Sequence, residues 1–309
     1  MQSTQALNDE FGIPGQLSFR DDSGGLVVAE VDNEHATASL CLQGAHLMTW
    51  QPKGEAEPVI WLSRDAKLLP GKSIRGGVPV CWPWFGPHGG DATLPAHGFV
   101  RTLPWKVVAA QRDESGATRL SLSPVTDART SALLGGAWHL KLTVVVGQTL
   151  RLELTTSNTA SYDYTQTTGF VITEAFHTYF RIGDIGAVKV IGLEGASYLD
   201  KVDGGTRKLQ EGPLAFTGET DRVYTATRTD CVIEDGRLKR RIRIAKKGSD
   251  TTVVWTPWIE KAAKMGDFGQ PEGWRETLCI ESANALGDAV NIPASGEHTL
   301  VAEYSVEPL

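Results

Sequence analysis

The sequence predicts an all-β protein, a large antiparallel β-sandwich with a few short helices, and three observations carry that expectation. Polar and apolar residues alternate in short segments from end to end, Gly, Asp, Asn and Pro separate those segments, and helical periodicity is almost absent. Period two in so many places means antiparallel strands, and the many uneven loops suit two stacked sheets better than a closed barrel. No fixed-period repeat signals a propeller or solenoid.

Taken in order, the strand segments are LVVAEVDN from Leu26, HATASLCLQGAHLMTW from His35, TRLSLS from Thr118, HLKLTVVV from His139 and TLRLELTTSN from Thr149. The pattern resumes at VKVIGLEG from Val188, CVIEDGRLKRRIRIAKK from Cys231, DTTVVWTPW from Asp250, ETLCIESA from Glu276 and HTLVAEYSV from His298. Helical candidates are confined to Ser3–Asn8 and Ile259–Met265. The basic run Arg237–Lys247 reads as a strand, with Leu238, Arg240, Ile242 and Ile244 on one face and Lys239, Arg241 and Arg243 on the other. No aromatic residues interleave there to stack bases, so a solvated strand face is expected rather than a nucleic-acid patch.

Of the 309 residues, 41% are hydrophobic, enough for one large core, and no composition break marks a boundary. Residues 1–309 are therefore expected to form a single domain. A net charge of −7 disfavours nonspecific attraction to nucleic acid or to an anionic membrane, so an anion must be caught locally. Cys41, Cys81, Cys231 and Cys279 lie far apart with no CxxC pair, and no Asn begins a glycosylation sequon. Reduced thiols in a cytoplasmic protein are expected. The start, MQSTQALNDEFGIPG, has no basic region followed by an apolar stretch, and no apolar run is long enough to span a bilayer as a helix. The absence of a long exposed apolar stripe points to a monomer.

The densest chemistry lies in KSIRGGVPVCWPWFGPHGGDATLPAHGFVR, Lys72 to Arg101. Gly opens backbone angles closed to other residues and Pro fixes others, so such a loop holds polar side chains in one arrangement. Arg75 and Arg101 flank it. Two guanidinium forks in a Gly-rich loop of an acidic protein point to a captured phosphate or carboxylate. In VITEAFHTYFRI, from Val171, alternation sets His177 with Ala175, Tyr179 and Arg181, away from Phe176, Thr178 and Phe180. In ETLCIESAN, Glu281 shares a face with Cys279, away from Leu278 and Ile280. Either residue alone fits an ordinary half-solvated strand face, but a sheet that brings them together places an imidazole and a carboxylate across a small ligand, a pair suited to proton transfer near neutral pH.

Other signals are weaker. PGKS at Pro70–Ser73 lacks the first P-loop glycine, since Ala66 stands there. Cys81, His88, Asp91 and His97 match no familiar zinc spacing. Neither G-x-S-x-G nor HExxH occurs.

In this order SIRGGVPVCWPWFGPH, LPAHGFVR, FHTYFRI, SYLDKVDG, VVWTPWIEKAAKMGDFG and CIESAN resemble the glucose-6-phosphate 1-epimerases, the hexose-6-phosphate branch of the aldose 1-epimerase, galactose mutarotase-like superfamily. The resemblance implies a β-supersandwich, no cofactor, and interconversion of the α and β anomers of a hexose 6-phosphate. It implies that His177 donates a proton to the ring oxygen and that Glu281 removes the proton of the anomeric hydroxyl. It also implies that Arg75 and Arg101 receive the phosphate, that Asp200 hydrogen-bonds sugar hydroxyls, and that His97 lines the pocket. Ala96, Thr256 and Ser282 depart from the family pattern, which bears on the preferred sugar. Trp and Phe side chains of the central loop are expected to stack on the sugar ring.

Three rivals stand beside this reading. An epimerase of unphosphorylated aldoses would use the same acid and base but would leave the two arginines without a job. A noncatalytic carbohydrate-binding β-sandwich would use His177 and Glu281 only as hydrogen-bonding groups. A glycoside hydrolase normally needs two carboxylates and fits poorly.

Overall fold

The computed structural model describes residues 2–134, 136–161 and 169–309. One eight-stranded sheet runs from edge to edge through Thr206–Leu209, Ser197–Asp200, Thr220–Tyr224, Thr251–Thr256, Thr277–Asn284, Glu174–Phe176 and Val80–Cys81, with Tyr179–Arg181 also paired to Thr277–Asn284. A second runs Val188–Ile191, Cys231–Asp235, Arg240–Lys247, Glu297–Pro308, Leu150–Asn158, Trp138–Val146, Thr118–Pro124 and Trp105–Arg112. A four-stranded sheet, Leu17–Asp21, Val27–Asp32, Ala36–Cys41 and His46–Pro52, precedes both in sequence. Every pairing within these sheets is antiparallel. The helices fall at Thr4–Phe11, Ala128–Ala132 and Trp258–Met265, and among the described residues none is long and apolar enough to cross a membrane.

The period-two pattern explains the layering. Leu278 and Ile280 of one large sheet join Leu152, Leu154, Ile242, Ile244 and Leu300 of the other in one apolar core, each such side chain contributing roughly 1.5–3 kcal/mol on burial. Phe180 meets Tyr304 edge to face at 5.1 Å, and the hydroxyls of Thr178 and Tyr304 lie 2.6 Å apart, so the two layers touch directly beneath His177.

Arg240 follows its predicted face inward rather than outward. It is 2% exposed, and its guanidinium donates to the carbonyls of Glu57, Pro58 and Arg181 and pairs with Glu55. Arg241 and Arg243 lie on the solvent side, paired with Glu234 and Asp230.

Candidate active site

The site is built on the face of the first large sheet that points away from the core. Thr277–Asn284 is buried on both faces, so the outer face is covered rather than half-solvated. Part of the cover is the loop from Lys72 to Arg101, whose regular structure is the two-residue strand Val80–Cys81 and a single turn of 3-10 helix at Val100–Thr102, and Trp61, Ala262 and Phe268 close over Cys279.

That loop is stitched to its neighbours by backbone. Gly77 donates to Trp61, Tyr179 donates to Gly77, and His177 donates to Pro79. Gly76 and Gly77 adopt φ of 96° and 66°, and a Cβ on either would run into the backbone of Trp61 and Leu62 or of Leu47. The pair of glycines therefore holds Arg75 beside Tyr179. Trp82 anchors the middle of the loop in the core through a hydrogen bond from Nε1 to Thr156 at 2.9 Å, and Trp84 packs on Phe99 and His88. Neither tryptophan of the loop reaches the cavity, which corrects the expectation that they stack on a ligand. Phe85 does line it, and the tryptophan there is Trp255.

The predicted strand VITEAFHTYFRI is broken. Glu174–Phe176 and Tyr179–Arg181 pair with the two ends of Thr277–Asn284, Phe176 opposite Ser282 and Tyr179 opposite Cys279. His177 occupies the gap, where its imidazole turns toward Glu281. His177 Nε2 lies 3.5 Å from Glu281 Oε1, with side chains 13% and 2% exposed. His177 Nδ1 and Glu281 Oε2 have no hydrogen-bond partner among the described residues.

Both groups border a cavity of about 570 Å³. Its walls carry four cations, Arg75, Arg101, Lys201 and Lys261, together with Asp221, Asp267 and Glu281. Arg75 Nε donates to Asp267 Oδ1 at 3.0 Å and Arg75 Nη1 to the Tyr179 hydroxyl at 3.1 Å. Arg101 donates to the Ala96 carbonyl at 2.8 Å, and among the described residues no carboxylate pairs with it. Lys261 pairs with Glu219 at 2.7 Å, and Lys201 stands 4.0 Å from Asp221. His97 also lines the wall, held at φ 65° with its backbone N–H on the Gly86 carbonyl.

Burial dominates the protonation of the site. It pushes the Glu281 carboxyl well above the usual range, assisted by Asp221 and opposed by Lys201. Burial likewise holds His177 well below the usual imidazole value, with the neighbouring His97 ring and the positive charges of Arg101 and Arg75 adding to it. His97 is lowered to about 4 by burial and then by Arg101 and Lys201, so its ring is neutral at neutral pH. A carboxyl and an imidazole this close, each resisting charge, carry one proton between them over a wide pH range. Such a pair can give a proton and accept another in one step.

Of the residues singled out in the sequence, His177, Glu281, Arg75, Arg101 and His97 meet in this cavity, and Asp200 does not line it. The Asp200 carboxylate is taken by Lys208 at 2.9 Å and by the Val202 N–H at 3.2 Å, because the strand ends there and a 3-10 turn begins. Its neighbour Lys201 faces the cavity instead. The four residues weighed for zinc go separate ways: Cys81 is a buried thiol pushed up to about 12, and His88 Nδ1 accepts from the Gly90 and Asp91 amides.

Sequence reading missed Asp221, Trp255, Lys201, Lys261 and Asp267 and gave Tyr179 no role. Tyr179 had a signal, since it follows His177 by two residues on the same face. Trp255, Lys261 and Asp267 lay inside VVWTPWIEKAAKMGDFG and Lys201 inside SYLDKVDG without being singled out, whereas Asp221 had no signal, because it takes the observed register, with Asp221 opposite Trp255 and Val253 opposite Glu281, to bring it beside the dyad.

A family model described as Aldose 1-epimerase matches residues 28–305. An Escherichia coli K12 protein named "Putative glucose-6-phosphate 1-epimerase" is 38% identical over 256 residues, 82% of either chain. A Cenchrus ciliaris protein of the same name is 34% identical over 259 residues, 80% of this chain and 74% of that one. A crystal structure from Salmonella typhimurium, described as that of a "putative mutarotase", superposes with a TM-score of 0.85 at 33% identity, covering 96% of this chain and 95% of the other.

Proposed function

This chain belongs to the aldose 1-epimerase family, and from that premise we propose that it interconverts the α and β anomers of D-glucose 6-phosphate. The observation that carries the choice of substrate is the charge of the cavity. On a chain of net charge −7, Arg75, Arg101, Lys201 and Lys261 converge on the same cavity as the His–Glu pair. Arginine forks match a phosphoryl group in a way that a neutral sugar does not use.

In this reading the one proton the pair carries passes from Glu281 to His177 as the sugar binds, and Glu281, then a carboxylate, takes the proton of the anomeric hydroxyl while His177 protonates the ring oxygen. The C1–O5 bond breaks and C1=O1 forms, giving the open-chain aldehyde. Rotation about C1–C2 presents the other face of the carbonyl. Closure returns each proton, O5 giving one to His177 and O1 regaining one from Glu281, so both groups end as they began. General acid–base assistance supplies typically ~10²- to 10⁴-fold, which suits a reaction already proceeding in water. In the same reading Asp221 and His97, which line the cavity, meet hydroxyls, and Trp255 and Phe85 meet the apolar face of the ring. Asp200 is assigned to holding the Lys201 turn. Residues 1–309 act as one domain in this reading, a cytoplasmic monomer on a small sugar phosphate. The four cysteines, all free and buried, support that compartment.

One observation favours a second reading, epimerisation of unphosphorylated aldoses. Arg75 already has Asp267 as counter-ion and so is not idle without a phosphate. Two-dimensional exchange NMR on glucose 6-phosphate and on glucose, with the spontaneous rate subtracted, separates the two. Faster exchange of the phosphate ester is the expected result. Acceleration of glucose alone moves the chain to the second reading, and acceleration of neither ends both.

A further inference from the structure

Tyr179 stands where the cationic and proton-transferring halves of the cavity meet. Its hydroxyl accepts from Arg75 Nη1 at 3.1 Å, and its ring lies on the His177 imidazole with centroids 4.9 Å apart and planes 12° from parallel. The ring is 3% exposed and is boxed in on its remaining sides. Trp255 meets it edge-on at 6.1 Å and meets His177 edge-on at 5.8 Å, while Trp61 stacks on it at 5.9 Å and Phe268 is tilted against it at 6.3 Å. A ring so enclosed moves only as a unit with its neighbours. Arg75 meanwhile sits over the Phe268 ring at 5.6 Å and splits its guanidinium between Asp267 and the phenol.

Resting on the sugar-phosphate reading above, we propose that Tyr179 is a positioning residue that couples occupation of Arg75 by a phosphoryl group to the placement of the His177 imidazole. With no anion bound, Asp267 is the counter-ion that aims Arg75. A phosphoryl dianion takes over that role, the guanidinium re-aims, and the phenol hydroxyl follows because Arg75 is its donor. The ring then fixes the plane of the imidazole stacked on it. Binding energy from a group remote from C1 is thereby realised at the reacting atoms, raising kcat as well as lowering KM.

A double-mutant cycle on glucose 6-phosphate tests this, with kcat and KM measured for wild type, Arg75→Ala, Tyr179→Phe and the double variant. Tyr179→Phe keeps the stacked ring and removes the acceptor, so kcat/KM falls roughly ten-fold, as for loss of a hydrogen bond to a charged group, with part of the loss in kcat. In the Arg75→Ala background the same change has little further effect. Losses that simply multiply overturn the proposal, as does a Tyr179→Phe enzyme equal to wild type, since a merely structural tyrosine moves neither the cycle nor the kcat share. Should Tyr179→Phe unfold, the ring-nitrogen resonances of His177 give the answer with Tyr179 intact. Inorganic phosphate is expected to shift them in wild type and to shift them much less in Arg75→Gln, and equal shifts overturn the proposal. A wild type that does not accelerate glucose 6-phosphate exchange fails at the substrate reading itself, whereas an active wild type with multiplying losses fails only here.

Discussion

Among the described residues the molecule contains two buried His–Glu pairs, and they differ in what faces them. His177 Nε2 and Glu281 Oε1 are 3.5 Å apart, His298 Nε2 and Glu174 Oε1 3.3 Å. Burial pushes both glutamates upward. The same two strands carry both acids, since Glu174 lies opposite Asn284, three residues before His177 and three after Glu281. Each histidine also opens on a cavity, of about 570 Å³ for the first and about 680 Å³ for the second. Size and proximity therefore do not distinguish a site from a tie.

The lining does. Phe85, Tyr179 and Trp255 surround the first pair with rings, and four cations join them. Among the described residues the second cavity has no aromatic wall beyond His298; it carries cations of its own, Arg228, Lys246 and Lys247, but several of its polar groups are already engaged. Asn284 bonds to His298, to Gly248 and to Asp288, and Lys246 donates to Thr251. His298 comes from the opposite large sheet, so the second pair bridges the two layers, whereas the first lies on the outer face of one.

The largest expected effect that tests this contrast is on catalysis. Glu281→Gln and His177→Asn should each slow exchange of glucose 6-phosphate by roughly 10²- to 10⁴-fold, and the double variant should be little worse than either, because the two act as one unit. Thermal unfolding of Glu281→Gln should hold or rise, since the new amide would mimic a carboxyl that burial already keeps protonated. A collapse in stability with activity per folded molecule preserved would reverse the assignment of the two pairs. Next in size, the Arg75→Ala/Arg101→Ala variant should raise KM for glucose 6-phosphate by about ten-fold or more, with the larger share of the loss in KM. Unchanged KM would strip the cationic lining of its meaning.

A smaller effect concerns pH. In the proposed reaction the pair works with one proton: below the depressed value of His177 it holds two and lacks a base, and above the raised value of Glu281 it holds none and lacks an acid. The profile of kcat/KM should therefore be a plateau reaching lower than an ordinary imidazole permits and higher than an ordinary carboxylate permits, after correction for ionisation of the phosphate ester near about pH 6. A single limb centred near about pH 6.5 would mean that a free imidazole does the work.

The fold was legible because alternation is local. A strand shows its two faces in a few residues, which is why the sequence alone sets Leu278 and Ile280 against Glu281, and Arg240 beside Ile242. The break at His177 was hidden, since TEAFHTYFR alternates without a gap and only pairing with Thr277–Asn284 shows where the ladder parts. The rest of the site depends on register across strands far apart in sequence. Nothing in TDRVY reveals that Asp221 ends up opposite Trp255. Asp200 falls outside the cavity lining for a related reason. A carboxylate next to a lysine and followed by Gly204 with φ 60° is a turn cap, and the turn sends Lys201 to the cavity in its place.

The smallest effect comes from the second pair. Glu174 is held above the usual carboxyl range by burial, opposed by His298. The folded state thus binds a proton that the unfolded chain releases near about pH 4.3, and stability declines as pH rises from there toward the raised value. Glu174→Gln removes that decline. Its unfolding midpoint relative to wild type should climb between about pH 4 and pH 8 by a few degrees, roughly 2–4 °C per kcal/mol for a large domain. Exchange of glucose 6-phosphate should stay within about two-fold. The pH trend matters more than the offset, because the substitution also perturbs the contact with His298 by an amount that does not depend on ionising Glu174. A flat difference would mean that Glu174 is charged in the folded state and stabilised by His298. Loss of exchange would mean that the bridge between the layers reaches the dyad along the strands they share.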